Sequence, residues 1–107
     1  MDPTAAAERW ARVWREAWEG RDTDAIVALY ASDIRFSTQA FRVPYLGTDG
    51  VRTYVQQAFD EEREPRVWMG APIVAGDRAA IEWWAVFVSP AGEEETIAGC
   101  SMLRFDA

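Results

Sequence analysis

The chain has 107 residues and a formal net charge of −7, and half of its residues are hydrophobic. This length suits one compact domain, residues 1–107, and is too short for two. The acidic charge argues against nucleic-acid binding, because non-specific binding needs clustered positive charge. Histidine is absent, which excludes histidine-dependent catalytic sets, and the single cysteine, Cys100, excludes an internal disulfide. We therefore expect neither a metal ion nor a cofactor.

The N-terminal sequence MDPTAAAERW lacks the basic and apolar regions of a signal peptide. No apolar run approaches the roughly 20 residues that a membrane-spanning helix needs. The sequence therefore predicts a cytoplasmic protein with no membrane partner.

The first predicted element is a long helix. Asp2 is suited to cap its N-terminus, Pro3 fits its first turn, and Gly20 follows its predicted last residue, Glu19. Aromatic residues recur at every fourth position, so they form a stripe on one side of the helix: Trp10, Trp14 and Trp18.

The next stretch alternates between helical and extended patterns. Asp22 is predicted to cap a shorter second helix that runs to about Ala31. Residues 33–38 resemble a short strand, and residues 39–47 an irregular stretch or hairpin. Thr48 is predicted to cap a third helix, in which apolar residues keep helical spacing: Val51, Tyr54, Val55, Ala58 and Phe59.

The last third of the sequence has the alternating pattern of strands. We predict strands from Arg66 to Val74, from Ala79 to Val88 and from Glu95 to Phe105. The turns between them are predicted at Gly76-Asp77 and at residues 89–92. This order of elements favours an α+β fold, in which three N-terminal helices pack on a curved, mostly antiparallel sheet.

Several short motifs occur in a characteristic order: Trp18-Glu19-Gly20, Asp24-Ala25-Ile26, Leu29-Tyr30-Ala31, Gly47-Thr48-Asp49-Gly50-Val51-Arg52, Gly76-Asp77-Arg78-Ala79-Ala80 and Glu82-Trp83-Trp84. With these motifs the chain resembles the SnoaL-like (polyketide-cyclase-type) family of the nuclear-transport-factor-2-like superfamily. The resemblance implies a cone-shaped α+β fold. It implies no particular reaction, because this fold hosts isomerases, cyclases, hydrolases and non-enzymatic binders.

Family members usually continue beyond the position of Phe105 into one more strand inside the sheet. This sequence ends at Ala107, so we expect the final strand to be missing. Either the sequence is truncated before that strand, or one sheet edge is left open, or another chain supplies the pairing. An open apolar edge favours association. We therefore expect a homodimer.

The catalytic residues of related enzymes are replaced here. The resemblance aligns Trp14, Thr38 and Ser101 with the tyrosine, the aspartate base and the protonated aspartate of ketosteroid-isomerase-like members. None of these three side chains can do the same work. Trp83 and Ala85 stand where limonene-epoxide-hydrolase-like members need an arginine and an aspartate.

Alternation along the last two predicted strands separates a concave, pocket-side face from an outward face. Trp83 and Ser101 belong to the concave face, whereas Glu82 and Trp84 belong to the outward face. The residues that we expect to bind a small apolar or aromatic molecule are four aromatic walls and two polar groups: Trp14, Phe36, Tyr54, Trp83, Thr38 and Ser101.

Two carboxylates remain as weak catalytic candidates. Glu82 lies between Ile81 and Trp83 and, if buried, would have a raised pKa suited to a general acid. Asp33 stands between a predicted helix and a predicted strand, where a turn or capping role suits it. Three functions therefore remain open: a small-molecule pocket protein without a catalytic set, a cyclase, isomerase or hydrolase that uses a lone carboxylate, and a non-catalytic oligomerisation or interaction module.

Overall fold

A computed structural model describes residues 2–39 and 41–106 of the chain. The described elements are three helices and six strands: α1 (Pro3–Glu19), α2 (Thr23–Val27), β1 (Arg35–Phe36), β2 (Tyr45–Leu46), α3 (Gly47–Glu61), β3 (Arg63–Met69), β4 (Ile73–Ala75), β5 (Arg78–Val88) and β6 (Glu94–Arg104). The α+β prediction is confirmed. None of the helices in the described ranges combines the length and the apolar character needed to cross a membrane.

Strand β5 is the centre of a four-stranded antiparallel sheet. It pairs along its whole length with β6, and its other edge is shared by β3 and β4. Strands β1 and β2 form a separate antiparallel hairpin. Helix α1 packs across β3 and β5, whereas β6 is held mainly through its pairing with β5.

The predicted first helix is confirmed at both ends. The carboxylate of Asp2 accepts a hydrogen bond from the Ala5 N–H at 3.1 Å, as an N-cap does. The three tryptophans stack along one side, with ring centroids 5.5 Å apart between Trp10 and Trp14 and 4.9 Å apart between Trp14 and Trp18.

Helix α2 is shorter than predicted, because it ends at Val27 rather than near Ala31. The N–H groups of Leu29 and Tyr30 donate to the carbonyls three residues before them, at 3.0 and 3.1 Å. This tighter winding ends the α-helix. It leaves the phenol of Tyr30 within reach of the tryptophans of α1.

The start of α3 was predicted wrongly. The capping residue is Leu46, which supplies no side-chain hydrogen bond, and Thr48 lies inside the first turn. Gly47 adopts a φ of +68°, a left-handed conformation that favours glycine, and its N–H donates to the Ile34 carbonyl at 2.9 Å. The hairpin therefore fixes where the helix begins.

The strand predicted from Arg66 to Val74 is two strands, β3 and β4. Pro72 lies between them and has no N–H to donate, so it interrupts the pairing with β5. The strand predicted over residues 33–38 is limited to the two residues of β1.

The core forms two buried clusters, both under α1. One contains Val51, Val55 and Ile26 from α3 and α2, with Val67 and Ala85 from the sheet. The other contains Ile81 and Ala79 of β5 packed against α1. Trp14 and Met69 pack against both clusters, so they lie at the junction between them.

Candidate functional site

The concave face of the sheet carries the predicted pocket residues of β5 and β6. Trp83 is paired with Gly99, and Ile81 is paired with Ser101. Ile81 is fully buried and Ala85 is nearly so, which confirms the predicted alternation of faces. Farther along, Ile97 pairs with Ala85 yet remains 49% exposed. The concave face is therefore covered beside α1 and open along β6.

Trp83 has an unusual position on this open face. Its indole lies against Gly99, where an added β-carbon would be only 2.5 Å from the indole Cζ2 atom. Its Nε1–H donates to the Ser101 hydroxyl oxygen at 3.2 Å. The side chain is partly buried, but it belongs to neither core cluster. Within residues 2–39 and 41–106 its ring stacks on no other aromatic ring.

A polar contact joins the tryptophan stripe to Tyr30. The Tyr30 hydroxyl oxygen accepts the Nε1–H of Trp10 at 3.2 Å and the Nε1–H of Trp14 at 2.9 Å. Indole nitrogens can only donate, so the phenol oxygen is the acceptor in both bonds. Tyr30 thereby fixes the orientation of two large rings on the side of the helices that faces the sheet.

A chain of aromatic contacts continues from Tyr30. Its ring meets Phe36 edge-on with centroids 5.7 Å apart, and Phe36 lies 5.2 Å from Tyr54. Tyr54 in turn meets Tyr45 edge-on at 5.5 Å. The structure thus brings together three of the predicted wall residues, Trp14, Phe36 and Tyr54, and it does so through Tyr30.

Burial raises the pKa of both phenols, Tyr30 and Tyr54. It raises the pKa of Tyr30 to about 12, against the weaker opposing effect of the two indole hydrogen bonds. Burial is also the main reason why the pKa of Tyr54 is raised, and the nearby carboxylate of Glu62 adds to it. Both hydroxyls are therefore hydrogen-bond donors at neutral pH.

The sequence matches the family of SnoaL-like domains over residues 11–107, which is nearly the whole chain. The protein belongs to the SnoaL-like family. No curated protein matches the sequence.

Solved structures of the nuclear-transport-factor-2-like fold resemble this SnoaL-like chain. One is a hypothetical protein with a ketosteroid isomerase-like fold from Catenulispora acidiphila, in complex with trimethylamine (TM-score 0.79, 18% identity, 91% of this chain and 75% of that chain). Another is TerC, co-crystallised with polyporic acid (TM-score 0.78, 15% identity, 98% of this chain and 83% of that chain). A third is a proposed polyketide cyclase from Xanthomonas campestris pv. campestris (TM-score 0.75, 18% identity, 98% of this chain and 84% of that chain). At these identities the likeness shows the fold alone.

The remaining predicted residues of the SnoaL-like chain are dispersed. Thr38 is exposed in the segment that follows β1. Glu82 is exposed on the outward face of β5, and Asp33 is exposed before β1. Among the described residues no group of three or more cysteine and carboxylate side chains is arranged to hold a metal ion.

Two depressions in the described surface do not coincide with the predicted pocket. One lies between α1 and the connection from β3 to β4, and the other lies where the ends of β3, β5 and β6 meet. Neither is lined by Trp14, Trp83 or Ser101. Trp14, Trp83 and Ser101 therefore lie outside both depressions.

The outward face of the sheet is also aromatic. Trp68 and Trp84 are paired across β3 and β5, and they are 49% and 45% exposed. Met102 on β6 is 70% exposed on the same face. We call these three residues the outer patch.

Tyr30 and Trp10 were missed as candidate site residues. The sequence places Tyr30 on the inward side of a predicted helix, and a buried phenol usually finds a polar partner. Its partners, however, lie 16 and 20 residues earlier in the chain, so only the fold reveals them.

Proposed function

We propose that the protein binds an apolar or planar small molecule on the concave face of its sheet, with the indole of Trp83 as the stacking surface. One observation carries this proposal: Trp83 lies on Gly99, anchored to Ser101, and takes no part in either core cluster. A tryptophan that only filled the core would pack within a cluster, as Trp10 and Trp18 do with 6% and 7% exposure.

The chemistry of an indole supports this role. A tryptophan ring contributes a large apolar surface, and stacked aromatic pairs are stabilised by about 0.5–1.5 kcal/mol beyond the area that they bury. Gly99 lets the ring lie against the backbone, and the bond to Ser101 fixes its rotation. A surface that is already oriented costs less entropy when a ligand binds.

The other proposed binding residues are the wall formed by Trp14, Phe36 and Tyr54, together with the hydroxyls of Ser101 and Thr38. Two relatives of the same fold support a small-molecule role, since one was crystallised with trimethylamine and another with polyporic acid. The exposure of Glu82 and Asp33 gives a lone-carboxylate enzyme no comparable support.

The test is a titration with fluorene, a planar apolar probe, in the wild type and in two matched variants. Trp83→Phe removes the indole from the concave face, and Trp84→Phe makes the same change one residue later on the outward face. We expect saturable quenching of tryptophan fluorescence in the wild type and in Trp84→Phe, and binding weakened about two- to tenfold in Trp83→Phe. Equal affinity in all three proteins would contradict the proposal.

We also propose that two copies of the chain associate through the outer patch. Trp68 and Trp84 are register partners on β3 and β5, and each leaves about half of its aromatic surface exposed. A two-fold contact would bring the same patch of each copy together and remove both from water. Light scattering at micromolar concentration tests this, and a monomeric mass would contradict it.

A further inference from the structure

One of the two surface depressions lies at the edge of the sheet, between α1 and the connection from β3 to β4. It holds about 350 Å³, a volume within the range of small-molecule sites. Trp68 and Met69 both line it, and as neighbours in β3 they point to opposite faces of the sheet. The depression therefore opens along the free edge of β3, whose other edge pairs with β5.

Two arginines of α1 line this depression, Arg12 and Arg15. They are three residues apart, so their side chains are neighbours on one side of the helix. Both residues are exposed, and neither guanidinium has a carboxylate within 4.0 Å among residues 2–39 and 41–106. The depression thus carries two cations that form no ion pair within the described part of the chain.

The carboxylate that the sequence provides for Arg15 is engaged elsewhere. Glu19 follows Arg15 by four residues, a spacing that allows an ion pair on a helix. Its carboxylate instead accepts the backbone N–H of Val67 at 2.8 Å. That N–H lies on the free edge of β3, where an unpaired donor would be open to pairing with another strand. Because Glu19 protects the strand edge, Arg15 remains available to a ligand.

An apolar surface adjoins the two cations. Trp68 is 49% exposed, while Ala11 is buried and Met69 packs against both core clusters, so these two residues line the inner side of the depression. Glu8 also lines it, but Glu8 precedes Arg15 by seven residues, which is about two turns of the helix. The end of the depression at Arg15 is therefore the more positive one.

We propose that this depression binds a small aromatic carboxylate. The carboxylate pairs with the guanidinium groups of Arg12 and Arg15, whose planar forks suit an anion with two oxygens. The ring of the ligand packs against Trp68. The site is separate from the concave surface at Trp83, so it does not rest on the proposed function. Trp68 also belongs to the outer patch, but the depression reaches it from the edge of β3.

The experiment compares 2-naphthoate with 2-naphthamide, which has the same rings and no charge. Isothermal titration calorimetry measures both affinities in the wild type and in Arg12→Gln, Arg15→Gln and Arg9→Gln. Arg9 is exposed on the same helix and does not line the depression, so its variant is a matched control for the loss of one positive charge.

We expect the wild type to prefer naphthoate. Arg12→Gln and Arg15→Gln should each weaken naphthoate binding about two- to tenfold, the range of a charged hydrogen bond at an exposed site. Both variants should leave naphthamide binding unchanged, and Arg9→Gln should bind both probes as the wild type does.

A two-dimensional proton–nitrogen spectrum locates the probe. We expect naphthoate to shift the indole N–H signal of Trp68 saturably, with an affinity that falls at high salt because the paired charges are exposed. Fluorene has no charge and should leave that signal in place.

Equal affinity for naphthoate and naphthamide would contradict the proposed carboxylate site, as would equal losses in Arg9→Gln and Arg15→Gln. Naphthoate shifts confined to Trp83 would place the probe on the concave face and overturn the inference, and so would the absence of binding at millimolar concentration. None of these results changes the expected binding of fluorene at Trp83, so the two proposals fail separately.

Discussion

The indole of Trp83 and the backbone of Gly99 are in direct contact, with no room for a side chain at residue 99. A β-carbon built there would be 2.5 Å from Cζ2 and 2.9 Å from Cε2 of the indole. The contact is cross-strand, because Trp83 and Gly99 are register partners in β5 and β6. The proposed binding surface therefore depends on the absence of a side chain at Gly99.

Replacing Gly99 by alanine tests this dependence. The added methyl group must displace the indole, so we expect the Trp83–Ser101 hydrogen bond to break and the folded state to lose about 1–3 kcal/mol, as overpacked sites do. Urea unfolding measures the loss, and fluorene binding should weaken along with it. Cys100→Ala, a change at the next, exposed residue of β6, is the control. Equal stability of the two variants would show that the indole is not held against the backbone.

The raised pKa of the Glu62 carboxyl predicts that the stability of the fold depends on pH. Burial raises the pKa of its carboxyl above the ordinary value of 4.5, and neighbouring Glu61 adds to this, while the hydrogen bond from Trp18 and the charge of Arg21 oppose it. The folded state then binds the proton more tightly than the unfolded state, so stability falls as the pH rises through the folded pKa.

Glu62→Gln removes the charge and keeps an oxygen that can accept the Trp18 N–H, which is bonded at 3.1 Å. We expect this variant to be more stable than the wild type at neutral pH and to match it below the ordinary pKa of 4.5. Thermal unfolding across this range measures the difference, and the nearby exposed Asp60→Asn serves as control. A Glu62→Gln variant that is less stable than the wild type at neutral pH would contradict the assignment.

The raised pKa of Tyr30 predicts a second pH dependence of stability, at alkaline pH. Its pKa is about 12 in the folded protein against an ordinary value of 10, so the unfolded chain ionises first as the pH rises. The stabilisation that the neutral Tyr30 phenol contributes is fully present below pH 10. It is lost as the pH rises towards the folded pKa of about 12. The loss is on the order of 2–3 kcal/mol, because each pKa unit corresponds to about 1.4 kcal/mol.

Denaturant unfolding of the wild type and of Tyr30→Phe at rising pH measures this contribution. The phenylalanine variant is expected to be less stable at neutral pH, since two indole N–H groups lose their acceptor. Its stability should decline less steeply in alkali than that of the wild type. Parallel declines of the two proteins would mean that the phenol is not buried.

The outer patch predicts how the chain associates. A glutamate in place of Trp84 would put a charge beside Trp68 at the centre of the proposed contact, so we expect Trp84→Glu to be monomeric at concentrations at which the wild type is a dimer. Light scattering measures both masses. Thr96→Glu, a change at an exposed residue of β6 towards the end of the sheet, should stay dimeric. Dissociation of both variants would indicate that the outer patch is not the specific contact.

The sequence predicted best those features that depend on near neighbours. Asp2, Pro3 and the tryptophan stripe are local signals, and α1 has the bounds that they indicate. The start of α3 depends on the backbone hydrogen bond from Gly47 to Ile34 across the hairpin. The capping residue, Leu46, has no polar side chain from which this start could be predicted. Pro72 is a local signal as well, because its missing N–H separates the pairing of β3 with β5 from that of β4 with β5.

The same distinction applies to the candidate site. Alternation was sufficient to assign Trp83 and Ser101 to one face of the sheet. It could not reveal that Trp83 lies on Gly99, because that contact depends on the register between two strands. The sequence also predicted an aromatic-lined pocket on this face, which is open along β6 at Ile97. How far α1 extends over the sheet decides whether the concave face is covered along β6. No local sequence pattern encodes that extent.

The most direct test of the concave binding surface is a two-dimensional proton–nitrogen spectrum, in which each tryptophan indole N–H gives its own signal. The signals are assigned by single Trp→Phe variants and followed during a fluorene titration. We predict that the Trp83 signal shifts saturably while the signals of Trp68 and Trp84 on the outer patch stay in place. An unmoved Trp83 signal, or shifts confined to Trp68 and Trp84, would contradict the proposed site.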